Sequence, residues 1–299
     1  MFRRVVANLP LGWLCIACVG KDATGPSTSV MPGDVAQAKA LPAKKYTLSL
    51  GNSLTFGWQP TRDPTDAANY TMGLGTLFVQ RLNAGREHAR VTEVNLACPG
   101  ETTETFIQGG CLWTDPALAG FPLHTTYTGS QLDATLDFLQ NHRGQVNPII
   151  LSLGANELYR PYLIECDGDF SCVAARIPDA VKATRRNYEV ILRRIRALAP
   201  RATVLVFVEY ELPTFPQEIN DGLEMIYRQV REVSRKHGAQ LVESNAIIQS
   251  DPCTLTFTCT EDLDPHPTDA GYRALADELW KESPFSQTRV MALPFHTHR

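Results

Sequence analysis

Residues 148–157 read PIILSLGANE: six almost unbroken apolar residues that stop at a glycine and run into an amide and a carboxylate. A strand with one wet face alternates apolar and polar side chains, whereas a strand covered on both faces is apolar throughout. The run at 148–153 therefore predicts a strand inside a parallel sheet, with Gly154–Glu157 at its carboxyl end. The pattern returns on either side. YTLSL at 46–50, TEVNL at 92–96 and TVLVFV at 203–208 are further strand candidates, with a short fifth at 240–242. Helical periodicity marks 71–83, 131–140, 179–198, 222–237 and 269–282. The clearest is 179–198, where Val181, Thr184, Tyr188, Leu192, Ile195 and Leu198 recur at three- and four-residue steps. The arginine pairs at 185–186 and 193–194 lie off that stripe and read as a solvated outer face rather than a binding surface. Alternating strands and helices predict an α/β fold, a three-layer α/β/α sandwich around a central parallel sheet, over 45–283. The stretch at 100–147, interrupted by Gly109, Gly110, Pro116, Pro122 and Gly129, reads as an insertion that shapes a site.

Composition narrows the class. The 299 residues carry 28 Lys+Arg against 32 Asp+Glu, a net charge of −4, and 43% are hydrophobic. That describes a folded chain, and the absence of a basic run argues against nucleic acid as a partner. No apolar stretch reaches the roughly 18–20 residues of a spanning helix.

Residues 1–20 (MFRRVVANLPLGWLCIACVG) place two arginines before a mostly apolar stretch, the pattern of an export signal. Ala17 before Cys18 is similar to the processing site of bacterial lipoproteins, although Cys15 stands where leucine is usual. The expectation is a secreted or cell-envelope protein, with a membrane tether through a lipidated Cys18 as the anchored form. Residues 21–44 have linker composition, and 284–299, with His296 and His298, read as a tail. Setting aside the two leader cysteines leaves six, which permit 15 pairings. Proximity in sequence favours Cys98–Cys111, Cys166–Cys172 and Cys253–Cys259, each closing a short loop. A metal site is the rival reading, and it lacks a C-x-x-C in the body or a nearby histidine. Disulfides of an oxidising compartment are expected instead, with no metal and no cofactor.

In open parallel sheets, sites form beyond the carboxyl ends of the strands. Gly51-Asn52-Ser53-Leu54-Thr55 follows the first strand, Ala97-Cys98-Pro99-Gly100-Glu101 the second, and Gly154-Ala155-Asn156-Glu157 the third. Asp262-Leu263-Asp264-Pro265-His266-Pro267-Thr268 precedes the last helix. Each cluster alone is explicable as a cap or a turn. Together they supply a hydroxyl nucleophile, a base beside a carboxylate, and donors for an oxyanion.

In this order and spacing the four clusters resemble the SGNH (GDSL-type) hydrolase superfamily of serine esterases and lipases. SLGNSLTFGWQP, NLACPGETTETFI and YTGSQLDATLDFL before LSLGANE are also similar to its bacterial secreted members. The resemblance spans about 45–283 and implies the flavodoxin-like form of the sandwich. It implies Ser53 as nucleophile, His266 as base, and Ser53, Gly100 and Asn156 as oxyanion donors. Two positions depart from the pattern: Asn52 stands where the first block has aspartate, and Glu157 where the third has aspartate. Neither is the triad acid, so activity is expected to survive both. The family's acid usually lies three residues before the histidine, where this chain has Leu263; Asp264 is favoured over Asp262, because Pro265 can stiffen its turn.

The expected activity is hydrolysis of carboxylic esters, small-molecule or lipid, through an acyl-enzyme, by a monomer. A carbohydrate O-deacetylase is the alternative within the superfamily, and a non-catalytic surface binding protein the alternative outside it. Phe106, Leu112, Trp113, Phe121 and Leu123 either line an acyl pocket or form a small core of the insertion.

Overall fold

Apolar strands need helices on both faces, and the sheet meets that demand. The computed structural model describes residues 43–84, 90–115, 120–261 and 263–286. The leader with Cys18, nearly all of the linker, Asp262 and the chain beyond 286 lie outside the described residues. Tyr46–Gly51 (β1), Thr92–Asn95 (β2), Val146–Ser152 (β3), Val204–Val208 (β4) and Gln240–Glu243 (β5) form one parallel sheet in the order β2-β1-β3-β4-β5. Leu50 pairs with Leu151 and Gly51 with Ser152, so β1 and β3 end side by side. This is the doubly wound order in which a crevice opens between β1 and β3, where the direction of winding reverses.

Eleven α-helices surround the strands among the described residues: Ser53–Phe56 (α1), Leu74–Asn83 (α2), Thr103–Gln108 (α3), Gln131–Asn141 (α4), Asn156–Ile164 (α5), Phe170–Ala174 (α6), Ile177–Leu198 (α7), Gln217–Lys236 (α8), Asn245–Ser250 (α9), Pro252–Leu255 (α10) and Asp269–Glu282 (α11). Alternate strand residues choose opposite layers. Leu48, Leu50, Ile149, Leu151, Val204 and Val206 pack with Leu132, Leu139, Tyr188, Ile191, Leu223 and Ile226 from α4, α7 and α8. Ile150, Leu205, Phe207 and Val242 face the other way, onto Leu74, Phe78, Ile248, Tyr272, Leu275 and Leu279 from α2, α9 and α11. The three-layer α/β/α sandwich with a central parallel sheet follows directly.

All five expected strands form within two residues of the expected bounds. The helix expected to begin at 222 begins at Gln217 instead. Gly222 looks like a boundary in sequence, but it lies mid-helix because α7 comes close there. A β-carbon at 222 would stand 2.6 Å from Ile177 Cδ1. The short α1, α3, α6, α9 and α10 lack the two or three turns that periodicity needs to be seen. Disulfides join Cys98 to Cys111, Cys166 to Cys172 and Cys253 to Cys259. Among the described residues no helix is long and apolar enough to cross a membrane.

Candidate active site

The carboxyl ends of β1 and β3 lead into Ser53 and Asn156. Asn52 leaves β1 in an extended conformation and caps α1, its Oδ1 accepting the Leu54 N–H at 3.1 Å. Ser53 thereby becomes the first residue of a helical turn, and its own N–H has no acceptor among the described residues. The Tyr272 hydroxyl steadies the turn, donating to Trp58 O at 2.8 Å and lying 3.3 Å from Ser53 O.

His266 arrives on the loop before α11. Thr256 bridges Pro267, Phe257 N–H donates to His266 O at 3.0 Å, and Tyr210 donates its hydroxyl proton to Pro265 O at 2.7 Å. The Cys253–Cys259 disulfide closes the facing segment. Held this way, His266 Nε2 lies 2.8 Å from Ser53 Oγ, and Nδ1 lies 2.8 Å from Asp264 Oδ1. Burial works to raise the Asp264 pKa, but the charge of His266 and its ring and backbone hydrogen bonds outweigh it. The carboxyl is held below the usual aspartate value. It is the acceptor the imidazole meets; Asp262 lies outside the described residues.

Three potential donors belong to residues lining the same cleft as the hydroxyl. Gly100 N–H, like that of Ser53, has no acceptor among the described residues. Gly100 adopts φ +75°, and a β-carbon there would sit 2.4 Å from Trp113 Nε1, so only glycine lets the indole cover this loop. Asn156 opens α5 and spends one amide hydrogen on Glu101 O at 3.1 Å, which leaves the second free. Ser53, Gly100, Asn156, Asp264 and His266 line one cleft of about 190 Å³, walled by Trp58, Trp113, Phe121, Tyr159, Arg160 and Leu163.

The apolar residues of the insertion divide between roles. Trp113 and Phe121 reach the cleft, Phe106 joins the main core, and Leu123 packs near Phe56 and Tyr70. The Leu112 side chain lies outside the described residues. The carboxylate of Glu157 caps α3, accepting Thr103 N–H at 2.6 Å, and burial pushes its pKa up to about 7. Burial likewise pushes Glu101 up to about 7. Gln131 donates to Glu101 Oε2 at 2.7 Å while exchanging hydrogen bonds with both backbone groups of Gly51.

Sequence reasoning missed Tyr159, Arg160 and Leu163. Their spacing of three, four and seven residues from Asn156 puts them on one helical face, a legible signal. It also missed Glu209, which directly follows β4 at the same edge of the sheet.

Residues 49–274 match the model of the GDSL-like lipase/acylhydrolase family. The chain belongs to that family. It is accordingly an enzyme of the carboxylic-ester hydrolase class, consistent with the ester-hydrolase expectation. Among solved structures, the extracellular lipase of Streptomyces rimosus is similar at 15% identity and a TM-score of 0.57, covering 81% of this chain and 100% of that one. The acetylxylan esterase of Geobacillus stearothermophilus is similar at 15% identity and TM-score 0.53, covering 81% and 95%. A lipase from a goat rumen metagenome is similar at 15% identity and TM-score 0.54, covering 81% and 98%. At such identities these likenesses show the GDSL-like fold alone. No curated protein matches the chain. Among the described residues no group of three or more His, Cys, Asp or Glu is placed to hold a metal ion.

Proposed function

We propose that the protein hydrolyses carboxylic esters of short acyl groups through an acyl-enzyme on Ser53. One observation carries the reading: the unbroken line from Ser53 Oγ through the His266 ring to Asp264, with 2.8 Å at each step. His266 Nε2 takes the Ser53 proton as Oγ attacks the ester carbonyl. The oxyanion is met by the N–H groups of Ser53 and Gly100 and by the free amide hydrogen of Asn156, donors worth about 3 kcal/mol each in such sites. Collapse breaks the bond to the alcohol, which leaves with the proton from His266. Water then yields its proton to His266 and attacks the acyl-enzyme, releasing the carboxylic acid and restoring the Ser53 hydroxyl. Asp264 holds the Nδ1 proton and balances the imidazolium that forms in both halves.

The acyl preference comes from the cleft. Its 190 Å³ falls below the roughly 300–1,000 Å³ of pockets for drug-sized ligands. The aromatic side chains of Trp58, Trp113 and Phe121 wall this small cleft beside Ser53, which supports a short acyl group. The test is a series of p-nitrophenyl esters, where kcat/KM is expected to peak at short acyl chains and fall by at least about tenfold toward long ones. A maximum at long chains contradicts the short-acyl reading. Acetylated xylan in the same assay addresses the O-deacetylase alternative, which the aromatic faces, suited to stacking on a sugar ring, favour as the second reading.

Secretion is part of the proposal. Three disulfides fit an oxidising compartment, and the basic and apolar leader supplies the route, with Cys18 as the anchoring residue.

A further inference from the structure

Glu209 is 2% exposed and takes no part in the line from Ser53 to Asp264. Its two oxygens accept three hydrogens. Asn52 Nδ2 donates to Oε1 at 2.5 Å, Ser152 Oγ donates to the same oxygen at 2.7 Å, and the Ala155 N–H donates to Oε2. These donors come from the end of β1, the end of β3 and the turn into α5. Asn52 immediately precedes the hydroxyl-bearing Ser53, and Ala155 immediately precedes the amide-bearing Asn156. One carboxylate therefore ties both sides of the crevice together from beneath.

We infer that Glu209 is a positioning residue for the hydrolytic site, setting the distance between Ser53 and Asn156, and that it is the reason an amide rather than a carboxylate stands at 52. The inference rests on the proposed roles of those two residues.

Asn52 divides its side chain between two tasks. Oδ1 caps the Leu54 N–H, and Nδ2 supplies a donor to Glu209. An aspartate at 52, the usual residue of the Gly-Asp-Ser block, could still cap α1. Its second oxygen would then face Glu209 Oε1 at hydrogen-bond distance, and two carboxylates so close cannot both be ionised. The exception at 52 and the buried acid at 209 thus explain each other. An unpaired carboxylate in this position would be costly, and three donors are what allow it to stay. Burial raises its pKa, while Ala155, Ser152, Asn52 and the charge of His266 pull against that rise.

The test exchanges donor and acceptor. Asn52→Asp, Glu209→Gln and the double variant Asn52→Asp/Glu209→Gln are compared with wild type and with Ser53→Ala, measuring kcat, KM and melting temperature on one soluble chromogenic ester. Asn52→Asp opposes two carboxylates, and Glu209→Gln turns an NH₂ toward a donor. Each is expected to lower kcat by about 10²-fold, with KM changed less than about threefold, because misplacement of the reacting groups by an ångström has that effect. The double variant restores an amide–carboxylate pair with the polarity reversed. Its kcat is expected to return to within about tenfold of wild type, far above the product of the two single losses. Independent losses that simply multiply, or a Asn52→Asp variant with wild-type kcat, would overturn the inference. If a single variant does not fold, the folded double variant decides alone on the same tenfold criterion. Turnover by Ser53→Ala would overturn the underlying reading of the site, and this inference with it. An inactive Ser53→Ala beside an uncoupled swap overturns this inference alone.

Discussion

Asp264 Oδ1 stands 2.8 Å from the backbone nitrogen of His266 and 2.8 Å from its Nδ1, so one oxygen fixes both the turn and the ring. The two jobs can be separated by substitution. Asp264→Asn keeps an acceptor for the backbone N–H but loses the charge that balances the imidazolium. It should lower kcat by between about 10- and 10⁴-fold while KM stays within about threefold. Asp264→Ala removes the turn contact as well and should also lower the melting temperature. Asp262→Asn should leave kcat within about twofold, as substitutions outside the reacting groups do. Steady-state kinetics on one ester and a thermal melt check all three; a crippled Asp262→Asn beside an active Asp264→Asn would reverse the assignment.

Glu101 titrates where stability can report it. Burial raises its pKa to about 7. A carboxyl with a folded pKa above its unfolded value stabilises the fold fully below the unfolded value, near 4.5, and that contribution is lost as pH rises toward the folded one. Glu101→Gln retains an oxygen for Gln131 and removes the ionisation. The melting temperature of wild type relative to the variant should therefore fall between about pH 5 and about pH 8. A difference that does not change with pH would show that Glu101 is not the group responsible.

The central strands β3 and β4 were legible because burial on both faces leaves them almost wholly apolar, whereas the edge strands β2 (TEVN) and β5 (QLVE) keep polar residues. Residues 148–153 announced β3 in this way, and with it the edge on which Asn156 lies. Ser53 and His266 were legible through the blocks around them, although they stand 213 residues apart. What sequence does not encode locally was lost. Glu209 is bonded to Asn52 across 157 residues and has no motif of its own. The helix expected over 222–237 starts five residues earlier, and the close approach of Ile177 at Gly222 is a long-range contact with no local signal. Phe106 and Trp113 look alike as aromatics of one insertion, yet one enters the core and the other the cleft.

Gly100 should tolerate no side chain. Gly100→Ala must hold a β-carbon at φ +75° and displace the Trp113 indole from 2.4 Å. Strain of this kind is worth about 1–3 kcal/mol. The melting temperature should drop, and kcat should fall at least about tenfold as the loop N–H leaves its place. Kinetics matching wild type would remove the Gly100 N–H from the proposed oxyanion donors.

The Cys98–Cys111 disulfide joins the loop of Gly100 to the segment of Trp113. Intact mass after alkylation without reductant should show no modified thiol among the six body cysteines. Replacing Cys98 and Cys111 by serine should raise KM more than it lowers kcat, because the cleft wall loosens while Ser53 and His266 stay on their own elements. A kcat loss with unchanged KM would contradict that division.

Ser53 is the proposed nucleophile, and one substitution isolates its role. Ser53→Ala removes the hydroxyl 2.8 Å from His266 Nε2 and leaves the cap at Asn52 and the Tyr272 contact to its backbone oxygen in place. Hydrolysis of p-nitrophenyl acetate, measured beside the thermal melt, should fall by at least about 10³-fold with the melting temperature nearly unchanged. Turnover within about tenfold of wild type in a folded variant would contradict the account.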